Sequence, residues 1–325
     1  MTAMQLSRDD LLAAYRSMTT IREFEERVRT EFQTGDMPGF VHLYAGEEAI
    51  AVGVCAHLGD RDVIASTHRG HGHCIAKGCD VTGMMMELFG RRDGLCHGKG
   101  GSMHIADLSK GMLGANGIVG GGPPLVAGAA LTAKTLGTGG VAIGFVGDGA
   151  SNQGTTFEAL NMAVVLKLPA VFVFENNGIG EGTGAAYAVG SGDVGGRAAG
   201  FGLPVEKVDG RDYFAVHDAA GRAIEHARSG KGPAAIEASA PRFYGHFEGD
   251  PQLYRAAGEV EKLRAQSDCL ALFRNRVVEA ALLDPKTLDA VTAEIRGQID
   301  TAVAAARKAP PPGAGDLMTD VYVSY

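Results

Sequence analysis

The stretch VAIGFVGDGASNQG, residues 141–154, decides how this chain folds. Its first six residues are an unbroken apolar run, the composition of a strand covered on both faces. Three small residues around Asp148 then end the strand, and a helical pattern occupies 155–166. Residues 170–174 repeat the apolar run, and further strand-like segments at 204–208 and 234–238 flank a helix that starts at Asp212. Strand and helix alternating in this way predict an α/β fold built on a doubly wound parallel sheet.

Upstream the pattern is helical. Ser7 and Asp10 form a capping-box-like start, after which Leu11, Tyr15, Met18, Ile21, Phe24, Val28 and Phe32 recur at helical spacing up to Gly35. A shorter helix follows Gly46 with Ile50, Val54 and Leu58, a short strand occupies 62–65, and 82–91 reads as helix. The glycine-rich stretch 92–122 has little periodicity and is too long for an idle connection, so it reads as a binding loop. Residues 123–134, PPLVAGAALTAK, open on proline as a helix may, and their small side chains permit close backbone approach, between subunits in the sharper reading. The tail is helical over 255–307, breaks at Pro310 to Pro312, and ends in an apolar segment, Leu317 to Tyr325, suited to docking on a partner. The division expected is one domain over 1–308, with a helical part at 1–60 and helical extensions at both ends of the sheet, followed by a tail at 309–325.

Composition narrows the classes of function. A formal charge of −8 supplies no basic face for nucleic acid or an anionic membrane, and no apolar run is long enough to span a bilayer. MTAMQLSRDD reads as neither a secretory signal nor a transit peptide. Five cysteines without a Cys-x-x-Cys pair fit reduced thiols in a cytoplasm. His68, His71 and His73 beside Cys74 match no closed zinc site, and the glycines between them favour a loop.

The chemistry concentrates at Gly147-Asp148-Gly149. Ligands of open parallel sheets bind beyond the carboxyl ends of the strands, where glycines and a helix N-terminus bring N–H groups to phosphate. A bare carboxylate there would repel a diphosphate, so a cation belongs between them, and magnesium suits a carboxylate, neutral oxygens and phosphates. The next strand ends in Glu175-Asn176-Asn177-Gly178, with Asn177 twenty-nine positions after Asp148. A dinucleotide fingerprint is a poor alternative, because the G-x-G-x-x-G register is missing. Gly98-Lys99 is no P-loop either, since Gly94 is one residue too close and no Ser or Thr follows the lysine.

Gly-Asp-Gly after one strand and Asn-Asn after its neighbour resembles the signature of thiamine-diphosphate enzymes. Over nearly the whole chain the sequence is similar to the α subunits of 2-oxo-acid-dehydrogenase-type E1 enzymes. That resemblance implies thiamine diphosphate and Mg2+ as cofactors, with Asp148, Asn177 and the carbonyl of Ile179 on the metal; family members often have tyrosine where Ile179 stands. It implies that His68, Arg69, Gly149 and Ala150 meet the diphosphate, that the backbone of Gly117 and Val119 holds the aminopyrimidine, and that His42 and His246 serve the reaction centre. His246 belongs to the segment from Arg242 to Pro251, which resembles a loop that orders with cofactor. Where the pyruvate type has a regulatory serine after the loop histidine, Phe247 stands here, and where it has tyrosine, His68 stands here.

The blocks STHRGHGHCIAKG, GKGGSMHIADL, GMLGANGIVGGG and YGHFEGD look like acetoin dehydrogenase α subunits rather than pyruvate or branched-chain ones. The resemblance then implies cleavage of acetoin to acetaldehyde and an acetyl group passed to a lipoyl-bearing E2. It also implies that a β subunit supplies the missing pyrimidine-binding domain, in an α2β2 heterotetramer. Alternatives that remain are a pyruvate or branched-chain 2-oxo-acid dehydrogenase E1 α subunit and a non-catalytic thiamine-diphosphate-binding scaffold.

Overall fold

From the N-terminus the chain forms α1 (Arg8–Phe32), α2 (Glu48–Cys55), β1 (Val63–Ala65), α3 (His71–Lys77), α4 (Val81–Leu88), β2 (Met112–Gly114), α5 (Gly122–Leu136), β3 (Ala142–Gly147), α6 (Gly154–Val165) and β4 (Ala170–Asn176). A small hairpin, β5 (Ile179–Gly180) and β6 (Thr183–Gly184), leads into α7 (Ala185–Ala188), α8 (Val194–Gly200), β7 (Val205–Asp209), α9 (Tyr213–Arg228) and β8 (Ala234–Ser239). Helices α10 (Glu259–Ser267), α11 (Cys269–Glu279) and α12 (Pro285–Lys308) complete the path. This computed structural model describes residues 6–322. The first five residues of the segment read as lacking a signal, and the last three of the apolar tail, lie outside the described residues.

The sheet has six parallel strands in the order β2-β1-β3-β4-β8-β7. This is the expected doubly wound α/β architecture, and its order turns back between β1 and β3. Side chains alternate across each strand, so β4 feeds two cores. Val171 and Val173 join Ile143, Phe145 and Ile236 against α1, α2 and α9. Ala170, Phe172 and Phe174 join Ala142, Val146 and Ala235 against α5, α6 and α8. Full burial of each such phenylalanine contributes roughly 1.5–3 kcal/mol. Val146 pairs with Phe174 and Gly147 with Glu175, which delivers the turns after β3 and β4 to the same edge.

The N-terminal helix begins as its sequence dictates: Ser7 Oγ accepts from the Asp10 N–H at 3.1 Å, and Asp10 accepts from the Ser7 N–H at 3.1 Å. An ion triad around the buried Glu48 then fixes the approach to the sheet. Arg22 on α1 bonds Glu48 of α2 through Nε at 2.5 Å and Nη2 at 3.0 Å, and it reaches Asp268 through Nη1 at 3.0 Å. Glu48 also accepts from the Gly46 N–H at 3.0 Å, which sets the position of neighbouring Glu47.

Several boundaries differ from the sequence reading. β2 lies inside the glycine-rich stretch that by sequence reads as a binding loop, and its three residues are strand only because β1 pairs with them. The tail helix is three helices, interrupted where Asp268 caps α11 and where Asp284 caps α12 with Pro285 at its first turn. The small residues of α5 bring it close to the sheet of its own chain: Ala127 and Ala130 are buried, and a Cβ on Gly144 would stand 3.0 Å from Val126 Cγ2. Its outer face, with Leu125, Leu131 and Leu136, is exposed. Beyond the prolines, Asp316 and Asp320 pair with Arg92 and Lys99 of the glycine-rich stretch, at 3.3 and 2.8 Å, while Leu317 and Met318 stay exposed.

Candidate active site

A cleft of about 250 Å3 opens at the carboxyl edge of the sheet, between the turns that follow β1 and β3. This is the reversal of strand order, where a crevice forms because successive connections leave on opposite faces. Its walls carry His68, Arg69, Val119, Asp148, Gly149, Ala150, Asn177, Ile179 and His246. His42 stands behind them, its ring centroid 4.7 Å from that of His68 and 5.0 Å from that of His246. Of the residues expected in the site, Gly117 is not among those lining the cleft; its neighbours Asn116 and Ile118 are.

Asp148 follows β3 directly and is 4% exposed. Its Oδ1 accepts from the Gly149 N–H at 2.7 Å, whereas Oδ2 is buried with no hydrogen-bond partner. Burial raises its pKa above the ordinary carboxylate value. An ionised oxygen left unpaired in this way is costly unless a cation meets it. Opposite, the Asn177 amide is oriented by Glu47, whose Oε1 accepts from Nδ2 at 2.8 Å. That leaves Asn177 Oδ1 as the acceptor end, receiving one long bond from the Ile179 N–H at 3.3 Å. A carboxylate oxygen, an amide oxygen and the nearby Ile179 carbonyl fit a hard, oxygen-seeking cation. The Ile179 carbonyl also lies 3.4 Å from Arg242 Nη1.

The two turns approach closely because both carry glycine. A Cβ on Gly180 would sit 3.2 Å from Gly149 Cα, and one on Gly149 would sit 3.5 Å from Gly180 Cα. The space between them is thus reserved for backbone, and the helix N-terminus of α6 follows directly.

Arg69 is buried and bridges two segments as well as facing the cleft. It donates to the Leu43 carbonyl through Nη1 and to the His246 carbonyl through Nη2 at 3.0 Å. Burial lowers its pKa, with Glu47 opposing. The three cleft histidines are held neutral. Burial and then the Arg69 charge depress His42 to about 3, His68 to about 2 and His246 to about 4.

The other histidines of the His68 cluster turn away. His71 Nδ1 lies 3.0 Å from Glu25 Oε2 and its Nε2 2.9 Å from Ser102 Oγ. His73 bridges Ser66 Oγ at 2.7 Å and Glu175 at 2.9 Å, with its ring stacked 3.7 Å from Phe145. Both are buried members of a scaffold under the loop.

Two residues of the cleft are not among the expected site residues, although Arg242 opens the segment that resembles a cofactor-ordered loop. Glu47 is fully buried, and desolvation, then the nearby Glu175 charge, raise it to about 8. Arg242, 2% exposed, spans the cleft floor from the Tyr244 carbonyl (3.1 Å) to the Glu181 carbonyl (3.2 Å) and the Tyr254 hydroxyl (2.8 Å). The available signal for Glu47 was a second carboxylate after Gly46, beside the one that Arg22 neutralises.

Fold and cleft define the class: an α/β protein with glycine turns and an unpaired buried carboxylate oxygen at the switch point of a parallel sheet. The family model for the dehydrogenase E1 component matches residues 16–314. The chain is 58% identical over 323 residues to the α subunit of acetoin:2,6-dichlorophenolindophenol oxidoreductase of Cupriavidus necator, covering 99% of this chain and 97% of that one. It is 53% identical over 322 residues to the protein of the same name in Bacillus subtilis, covering 99% and 96%. Against the pyruvate dehydrogenase E1 component subunit α of Rhizobium meliloti the identity is 39% over 322 residues, covering 99% and 92%. The chain belongs to the dehydrogenase E1 component family, which is thiamine-diphosphate-dependent.

Proposed function

We propose that this chain is the α subunit of an acetoin dehydrogenase E1, cleaving acetoin to acetaldehyde and passing the acetyl group to a lipoyl arm on E2. The observation that carries the substrate is the 58% identity to an acetoin-oxidising subunit, against 39% to a pyruvate-type one. Asp148, Asn177 and the Ile179 carbonyl are assigned to Mg2+, because the first offers an unpaired buried oxygen and the second an amide oriented by Glu47. Thiamine diphosphate, when bound, supplies the nucleophilic carbon.

The chain's own residues then bind, orient and move protons. Gly149, Ala150 and the α6 N-terminus offer N–H groups to phosphate, and Arg69 and His68 flank it. His42 and His246 hold and transfer the proton at the reacting oxygen and at the lipoyl sulfur. Both are depressed by burial and by an arginine charge, so an anion bound beside Arg69 raises them toward the working range. Gly117 and Val119 belong to the stretch assigned to the aminopyrimidine.

Ile118 and Val119 stand 72% and 48% exposed beside the cleft, and Leu125, Leu136, Met162 and Val165 extend an exposed apolar face along α5 and α6. Such a face suits a β subunit in an α2β2 heterotetramer, which would close the site and bring the pyrimidine-binding domain. The compartment we infer is the cytoplasm; no helix among the described residues is long and apolar enough to cross a membrane.

The test is dye reduction by the chain co-expressed with its partner subunit, thiamine diphosphate and Mg2+, on acetoin, pyruvate and 3-methyl-2-oxobutanoate. Preference for acetoin supports the reading. Preference for a 2-oxo acid moves the substrate and keeps the family. Turnover by the isolated chain refutes the shared site, and inactivity on all three favours a cofactor-binding scaffold.

A further inference from the structure

The three cleft histidines come from three different segments: His42 from the connection between α1 and α2, His68 from the turn after β1, and His246 from the loop after β8. One ring nitrogen of each lies within 4.8 Å of the other two. The rings do not stack. Their planes cross at 77°, 82° and 51°, which is how imidazoles approach a common point edge-on. His42 Nδ1 is buried without a hydrogen-bond partner, in a residue 6% exposed. Among the described residues no carboxylate or hydroxyl is hydrogen-bonded to any of the three rings. His71 and His73, by contrast, are each tied to a carboxylate and a serine.

We propose that His42, His68 and His246 form a three-imidazole site for a zinc-class divalent cation, distinct from the oxygen-lined Asp148 site, and that filling it reversibly shuts the enzyme off. An all-nitrogen set selects zinc, copper or nickel over magnesium, which takes oxygen. Three nitrogens at about 2.0–2.1 Å from a tetrahedral ion stand roughly 3.3 Å apart, with a fourth position left open. The rings therefore close by up to about 1.5 Å, and the loop carrying His246, which has no regular helix or strand between β8 and α10, can supply that movement. Because all three rings are neutral, the ion displaces no proton. The Arg69 charge opposes a dication here, so the affinity belongs in the micromolar range rather than that of a closed structural zinc site.

The shut-off rests on the proposed function, since it follows from tying up His42 and His246 as ligands. The site itself does not. Untagged chain is titrated with Co2+ in excess Mg2+, and Zn2+ is then competed against a chromophoric chelator. One equivalent is expected, with the visible absorption of a nitrogen-coordinated tetrahedral cobalt. His42→Gln, His68→Ala and His246→Ala each weaken binding about 100-fold or more, with circular dichroism showing that each variant folds. Asp148→Asn and Cys96→Ser leave it unchanged. Binding that survives the histidine variants, that is lost with Asp148 or Cys96, or that is absent below millimolar metal overturns the site. In the assembled enzyme, stoichiometric Zn2+ is expected to abolish dye reduction and a chelator to restore it. Binding with full activity overturns the shut-off alone, while absent binding leaves the acetoin reading untouched.

Discussion

Asp148→Asn is expected to stabilise the chain without ligand and to abolish the stabilisation that ligand brings. In the native protein one carboxylate oxygen is buried without a partner, and burial already raises its pKa. An unsatisfied buried polar atom costs about 1–3 kcal/mol, more for an ionised one. The amide keeps the acceptor for the Gly149 N–H and removes the charge but leaves its own Nδ2 unpaired, so the cofactor-free variant gains only the part due to the charge, about 1 kcal/mol. For a chain of 325 residues each kcal/mol moves Tm by about 1.5 °C. The ligand-free shift is therefore about +1.5 °C. Mg2+ with thiamine diphosphate at a hundred times Kd adds about 2.7 kcal/mol to the native enzyme, or about 4 °C, and nothing to the variant. The two proteins thus exchange rank on adding ligand. Thermal unfolding of the isolated chain, and of the assembled enzyme with and without Mg2+ and thiamine diphosphate, measures both halves. A variant that is less stable than native without ligand, or that still gains from it, refutes the argument that Asp148 is kept strained for a cation.

Three further outcomes follow from the same geometry. His246→Ala should abolish acetylation of a lipoyl acceptor while the cofactor still binds; full activity would remove His246 from the mechanism. His42 titrates near 3 in the fold and near 6.5 unfolded. Its folded pKa is the lower one, so its contribution is complete above about 6.5 and is lost as pH falls below that value. Between about pH 7.5 and 5.5 the loss is about 1.4 kcal/mol, and His42→Gln should shrink the measured fall in urea stability by that amount; an unchanged fall contradicts it. Gly72→Ala would place Cβ 2.1 Å from Tyr44 Cδ1, a ring fully buried and bonded to Glu175, so a loss of about 3 kcal/mol is expected, and unaltered unfolding would show that Tyr44 can move.

What the sequence determined by itself was whatever local order carries. The apolar runs of β3 and β4, the Ser7–Asp10 box and the turns bearing Asp148 and Asn177 are each written within a few consecutive residues. Their neighbourhood then followed from the rule that adjacent parallel strands deliver their turns to one edge. The tertiary structure alone decided the pairings made across long separations. β2 is a strand because β1 lies beside it, and nothing in its own glycine-rich run says so. Residues 255–307 break into three helices, first where Asp268 joins Arg22, far away on α1, and again where Asp284 caps α12. His71 and His73 look like partners of His68, yet helix α3 turns them into the core toward Glu25 and Glu175, leaving His68 to meet His42 and His246. Glu47 and Arg242 enter the cleft for the same reason. Burial and charge at a point in space depend on what the fold brings there, and local periodicity holds no record of it.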